Sequence, residues 1–351
     1  MTRMSHSIRP LRADDLDALS RFLTSGLGAE PRADFAAPEV LRWKYLDPAA
    51  ADSQPRSWVA VDESGAIVGH VGIRLTAFES LAIPVPDGRI GALHMIDWLG
   101  SPAHRGVGAS LMRRAHRAAP VQFGLGGSDA GRSVIKRGGY RPMPPAMVHR
   151  RLLRPFRWFR RSGKPSPRQL ARLARELARS RPRRPTAALE LQRVESFDRD
   201  IVGIVAKARE TAILTTRSAD RLNEFLRFPR QAPSGFLLRD PRGEPRGFAL
   251  LNLVPKADGG PVVGKIVDCL LDETNPALWR SAFHLLSDEL TRQGADLAEA
   301  YSSAPWTAEG LRLAGLPSRH PLEFSLRDRG DRIPRDLPFH LTPIEADYAY
   351  T

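Results

Sequence analysis

Leu99-Gly100-Ser101-Pro102-Ala103-His104-Arg105-Gly106-Val107-Gly108-Ala109-Ser110-Leu111 is the stretch from which the fold can be read. Upstream of it, Ile90 to Leu99 is an apolar run broken by His94 and Asp97, the pattern of a mostly buried strand. The run stops at Gly-Ser-Pro, passes a basic, glycine-bearing turn and enters a helical pattern from Ala109 to Ala119. A strand, a short glycine loop and a helix together aim a row of backbone N–H groups at whatever sits above the helix start. The helix dipole adds to their attraction for an anion, above all phosphate. Glycine keeps side chains from blocking that approach.

On the N-terminal side, Ile8-Arg9-Pro10-Leu11 reads as a short strand. Asp14 then caps a helix whose apolar spacing runs through Leu16, Leu19, Phe22 and Leu23. A second helix covers Pro38 to Leu46, with Trp43 and Tyr45 as core residues. Ser57–Val61 and Ala66–Ile73 form a hairpin about Asp62-Glu63-Ser64-Gly65, and a third strand spans Arg74 to Leu81. Downstream of the loop, Val121–Leu125 is a strand. A helix from Ser128 stops at Gly138-Gly139, and Met147–Leu153 is a last strand. The order is β-α-α-β-β-β-α-β-α-β.

Arg105-Gly106-Val107-Gly108-Ala109-Ser110 resembles the acyl-CoA pyrophosphate loop of the GNAT superfamily of N-acyltransferases, Arg/Gln-x-x-Gly-x-Gly/Ala, with Ser110 replacing the last small residue. Pro102 sits where that family usually has a proline, and Gly139-Tyr140 resembles its second signature, Gly-Phe or Gly-Tyr after a short helix. The element order is similar to the GNAT fold over the first 150 residues or so. The resemblance implies acetyl-CoA or another acyl-CoA as co-substrate, bound by Leu99, Gly100, Arg105, Gly106, Val107, Gly108, Ala109 and Ser110. It implies direct transfer of the acyl group to an amine, with the thioester carbonyl polarised by the backbone N–H of Leu99 or Gly100. The region around Trp43 and Tyr45 often lines the acceptor cleft in that family.

A base for the amine proton is sought on the same strand, in Asp97 or His94. Three positions apart, they fall on opposite faces of a regular strand, so at most one should reach the cleft. The tyrosine that family members commonly carry five residues before the Gly-Phe/Tyr aromatic is Ile135 here, leaving no evident acid for the thiolate. The nine histidines and one cysteine show no converging ligand spacing, so no metal is expected.

Charge is concentrated in one place. Between Arg150 and Arg184 fourteen Lys/Arg face one acid, Glu176, which accounts for nearly all of the net +14. Within this segment Ser166 caps a helix with Pro167 at its first position and one apolar stripe, Leu170, Leu173, Ala174 and Leu177. Its leucines either dock on the protein or, with Phe156, Trp158 and Phe159, dip into an anionic bilayer; RNA or DNA contact is the weaker alternative. No apolar run is long enough to span a membrane, and Met1 to Pro10 lacks the apolar core of a signal peptide. The expected location is the cytoplasm, with a peripheral position at the inner face of the membrane if the basic segment docks there. The single cysteine, Cys269, lies in an apolar run and reads as core.

The second half reads as a degenerate copy of the first. Asp240, Gly243 and Gly247 repeat the spacing of Asp62, Gly65 and Gly69, and the strand Val262–Leu271 carries Asp268 where the first carries Asp97. A helix from Pro276 to Gln293, a strand about Ala298–Tyr301, a short helix ending at Gly315 and a strand Leu322–Leu326 follow. Where the first half has its glycine loop, the second has Asp272-Glu273-Thr274-Asn275-Pro276, which cannot cradle a pyrophosphate. The expected architecture is therefore α/β (α+β): two GNAT-like domains, each a mixed, mostly antiparallel sheet flanked by helices. These are residues 1–153, which bind acyl-CoA, and 189–330, joined by the basic linker 154–188. A proline-punctuated tail, 331–351, is read as lying across a domain surface.

The function so implied is an acyl-CoA-dependent N-acyltransferase acting on a small molecule, a sugar or a cell-surface precursor. The alternative is an acyl-CoA-binding or interaction protein that keeps the fold without the chemistry.

Overall fold

The computed structural model describes residues 6–30, 33–47, 54–127, 129–157, 167–179, 185, 187–255 and 260–346. Its strands are β1 Ser7–Pro10, β2 Ser57–Val61, β3 Ile67–Glu79, β4 Arg89–Gly100, β5 Val121–Leu125 and β6 Arg141–Leu152 in the first half. In the second half they are β7 Glu190–Val194, β8 Leu214–Thr215, β9 Ser234–Arg239, β10 Pro245–Val254, β11 Val263–Leu271, β12 Leu297–Ser302 and β13 Ser318–Asp328. The helices are α1 Leu16–Leu27, α2 Pro38–Tyr45, α3 Val107–Ala115, α4 Asp129–Arg137, α5 Pro167–Arg179, α6 Val202–Thr211, α7 Ala219–Leu226, α8 Pro276–Gln293 and α9 Pro305–Leu313. Element types follow the hydrophobic periods, with one merger. The runs read as separate strands on either side of Arg74 form one 13-residue strand, β3. Nothing between Ile73 and Arg74 breaks the ladder with β4.

All strands join one sheet in the order β1-β2-β3-β4-β5-β13-β6-β12-β11-β10-β9-β7, with β8 added to the side of β3. The halves are sewn together through their last strands. β6 does not pair with β5 of its own half but with β12 and β13, and β13 fills the place beside β5. Only the contacts β4–β5 and β11–β12 are parallel. Each consists of three residue pairs, after which the strands part.

Matching turns stand in the two halves. Asp62 Oδ1 accepts from the N–H groups of Ser64 (2.9 Å) and Ala66 (3.0 Å), and Asp240 Oδ1 accepts from those of Arg242 (2.9 Å) and Glu244 (3.1 Å). An Asx turn of this kind fixes the register of each hairpin.

Helices cover both faces. On one, α2 packs against α6 and α7 in a core shared by both halves, which includes Val40, Trp43, Phe225, Phe228, Phe248 and Val267. On the other, α3 seals Val71, Ile73 and Leu93 with Val107 and Leu111, while α8 and α9 seal β11 and β12 through Trp279, Phe283 and Leu311. Cys269 is buried in that second core, and burial pushes its thiol well up.

The C-terminal segment departs from expectation. Its apolar residues Phe339, Leu341, Ile344 and Ala346 are buried rather than laid over a surface. They enter the gap where β11 and β12 part. His340 Nε2–H donates to the Cys269 carbonyl (3.0 Å) on β11, and Leu341 N–H donates to Ser303 Oγ (2.8 Å) just beyond β12. Beside it Arg217, wholly buried, bonds Asp268 at 2.9 Å and Glu345 at 2.5 Å. Four apolar side chains on one short segment need a dry place, and the second gap supplies it.

α5 forms as its amphipathic sequence predicts, yet Leu170 and Leu177 are 50% and 43% exposed, so these two are not docked in the protein. Phe156 is 82% exposed; Trp158, Phe159 and the expected cap Ser166 lie outside the described residues.

Buried histidines make stability depend on pH. Burial lowers His70 and His340 to about 4, so both stay neutral when folded. The unfolded chain, with ordinary histidines near 6.5, takes up protons first as the pH falls. Stability present above pH 6.5 is therefore lost between 6.5 and about 4, by up to ~3 kcal/mol for each of the two residues. Thermal melts from about pH 7.5 down to about 4.5 are expected to show a falling Tm, and a flat profile would contradict the neutral burial of these rings.

Candidate active site

The site forms where β4 leaves β5. The two pair through Ala92–Val121, Leu93–Gln122 and His94–Phe123, and beyond His94 the β4 edge is open. Ser101 N–H donates to the Val68 carbonyl (2.9 Å), which makes 101/68 a bonded pair with β3. Alternation then turns the Leu99 N–H toward β3 and the Gly100 N–H toward the open edge. Of the two backbone donors expected from sequence, Gly100 is the one facing the gap. Leu99 contributes a side chain instead, lining an open apolar groove with Ala18, Phe22 and Ile67.

The loop that follows is pulled tight. A Cβ on Gly100 would stand 2.9 Å from Val107 Cγ1 and 3.1 Å from the Gly108 nitrogen, so only glycine lets α3 start this close to the strand. Gly106 has φ +87° and nothing within 4 Å of a Cβ position, which turns the chain sharply and leaves the approach clear. The Val107 and Ser110 N–H groups are taken by the His104 and Gly106 carbonyls (3.2 and 3.0 Å). Those of Arg105, Gly106, Gly108 and Ala109 have no protein acceptor among the described residues. Trp98 Nε1–H holds the Gly108 carbonyl at 3.0 Å, pinning the first turn of α3 to β4. The Arg105 side chain is exposed, and Ser110 Oγ accepts from Arg113 (2.9 Å). A diphosphate fits this loop: donors without acceptors, a clear approach and the positive end of a helix.

Asp97 and His94 do not lie on opposite faces. β4 carries an extra residue against β3 at this point, since His70 pairs with Leu99 and Gly72 with Ile96. Asp97 takes φ +48° in the bulge, and the added residue resets the alternation. Its carboxylate then faces α2, where Oδ2 accepts from Lys44 Nζ (3.0 Å) and Tyr45 OH (2.6 Å). His70 secures the bulge from β3: its Nδ1–H donates to the Asp97 carbonyl (2.7 Å) and its Nε2 accepts from Ser57 OH (2.8 Å). Asp97 is thus an ion-paired carboxylate fastening a strand bulge. His94 stands at the fork itself, stacked on Phe123 at 4.9 Å and accepting the Leu125 N–H on Nε2 at 3.3 Å.

Two narrow slots open beside His94 on the α2 side. One is bordered by Arg74, Thr76, His94, Thr216 and Arg221, the other by Lys44, Arg56, Arg74, Arg221 and Glu224. The arginines and Glu224 are contributions that sequence reading missed. α7, which carries Arg221 and Glu224, is distant in sequence, and only the shared core with α2 brings it here. Ile135 is half-buried beside Gly124, and Tyr140 is buried with its hydroxyl on His116 (3.0 Å). Burial raises the Tyr140 pKa, which leaves it a poor proton source.

No protein-family model and no curated protein sequence matches the chain. Solved structures do match, and the chain has the fold of the GNAT superfamily of acyltransferases. A GCN5-related N-acetyltransferase from Anabaena variabilis is similar with a TM-score of 0.60 at 14% identity, over 92% of this chain and 73% of that one. N-myristoyltransferase from Saccharomyces cerevisiae, with bound myristoyl-CoA, gives 0.62 at 12% identity, over 97% and 83%. A putative acetyltransferase from Pyrococcus horikoshii gives 0.55 at 14% identity, over 100% and 98%.

Proposed function

We propose that this protein is an acyl-CoA-dependent N-acyltransferase with one acyl-CoA site, in the first of two related halves. The observation that carries the reading is the parting of β4 from β5, flanked by an outward Gly100 N–H and by the unpaired N–H groups at the start of α3. Bound there, acyl-CoA would supply the thioester carbon to be transferred. The chain's part is to hold the diphosphate on the Gly106, Gly108 and Ala109 N–H groups and to aim the Gly100 N–H at a carbonyl oxygen. His94, at the fork, is the side chain placed to take the amine proton, directly or through a water. The thiolate leaving group needs no strong protein acid, consistent with Ile135 in place of a tyrosine. An acetyl or a longer acyl group is compatible with this arrangement.

The halves are read as two copies of one unit that have exchanged their last strands. The strand order supports this, as do the paired Asx turns and the extra residue that β11, like β4, carries beside its aspartate. In the second half Asn275 caps α8 where the glycine loop would stand, and the C-terminal segment fills the gap, so that half is read as a supporting wall.

The test is calorimetric titration with CoA, followed by thiol release from acetyl-CoA and longer acyl-CoAs with a panel of amines. Micromolar CoA binding with amine-dependent thiol release is expected. Tight binding without release on any amine would favour a binding protein that kept the fold, and absence of binding would defeat both readings. The exposed Phe156, Leu170 and Leu177 among arginines favour a second role, docking of the 150–184 segment on an anionic membrane. Flotation with phosphatidylglycerol vesicles tests it, and retention on RNA alone would overturn it.

A further inference from the structure

We propose that the acceptor amine carries a carboxylate, and that Arg74 binds it. The inference rests on the function proposed above and names the class of acceptor. Arg74 on β3 is the direct cross-strand partner of His94 on β4, so their side chains stand next to each other on the α2 face, at the fork. The Arg74 guanidinium lies over the Phe225 ring at 4.3 Å and near the Trp43 ring at 5.8 Å. Stacking shields its faces and leaves its N–H edge for a ligand. Among the described residues it has no hydrogen-bond acceptor and no ion-pair partner.

The neighbouring carboxylates are already engaged. Glu224 accepts from Arg221 at 2.6 Å and from Arg56 at 3.3 Å, and Asp97 is held by Lys44 at 3.0 Å. Burial pushes Glu224 up, but Arg221, Arg74 and Arg56 outweigh that and hold it at about 2, so it stays ionised. Burial and the charge of Arg74 bring Arg221 down to about 10, the mark of a local excess of positive charge. Arg74 borders both slots, so an anion on its edge would lie beside His94.

Narrow slots and the planar guanidinium fork suit a flat carboxylate, which can take two parallel N–H bonds, better than a tetrahedral phosphate. An amine on the same small molecule would then reach the fork, where His94 and the Gly100 N–H stand. α-Amino acids have this combination of groups.

The experiment compares free amino acids with their primary amides as acceptors, glycine, alanine and phenylalanine among them, with O-phosphoethanolamine as the phosphate arm. Thiol release gives kcat/KM, and calorimetry without acyl-CoA gives equilibrium binding. The acid of at least one pair is expected to exceed its amide at least tenfold in one of these measures. Arg74→Met should remove that preference while CoA affinity and Tm hold, and Arg74→Lys should restore part of it. The inference is overturned if no acid exceeds its amide in either measure, if phosphoethanolamine exceeds every acid, or if Arg74→Met leaves the preference intact. Absence of thiol release with every amine, alongside Arg74-dependent binding of the acids, would instead defeat the acyl-transfer reading and leave the carboxylate site standing.

Discussion

Gly108→Glu is expected to lower CoA affinity by about 100-fold or more while the chain remains folded. The Gly108 N–H is one of the donors without a protein acceptor at the start of α3. Charge-assisted hydrogen bonds of this kind contribute roughly 1.5–3 kcal/mol each, so two of them account for a loss of that size. A glutamate here competes for the same N–H groups and repels a diphosphate. The fold should survive, because a Cβ at this position meets the Trp98 ring at 3.6 Å, an ordinary contact, and an acid suits the first turn of a helix. Calorimetry with CoA beside a thermal melt checks both halves of the expectation. Unchanged affinity would remove the loop from the site.

Asp97→Asn should destabilise the protein by about 3 kcal/mol, the cost of leaving a buried cation without its counter-charge. Lys44 is only 2% exposed in its side chain, and Asp97 is its ion-pair partner at 3.0 Å. Asparagine tolerates the left-handed backbone at this position, so the loss comes from charge rather than from the bulge itself. Adding Lys44→Met should recover most of the stability in urea titrations, since the unpaired charge is then gone. Were Asp97 instead the catalytic base, the single variant would stay stable and lose turnover, and the second substitution would rescue nothing.

These two residues also show how far the sequence could be read. The glycine loop was legible because its chemistry is carried by backbone, and glycine spacing reports on backbone directly. Asp97 was legible as a residue worth attention, but not in its role. A bulge is a mismatch in length between two strands, and no alternation rule applied to β4 alone could reveal it. Its partners Lys44 and Tyr45 sat on a helix that looked like ordinary core. Arg74, Arg221 and Glu224 were harder still, because α7 reaches β3 and β4 only through the core that joins the halves. The C-terminal segment read as a surface tail because its prolines drew more attention than its four buried apolar residues.

The exchange of β6 and β13 has a consequence for how the molecule comes into being. Leu125 on β5 finds its sheet partner in Phe324, some 200 residues later in the chain. A nascent first half therefore carries an unsatisfied strand edge at β5 until almost all of the protein has been made. Cooperative, late closure of the sheet follows, with slow folding of the kind long-range strand pairing brings. The acyl-CoA fork borders that same edge through its β5 arm, so the ability to bind CoA should arise late, when the last strand arrives.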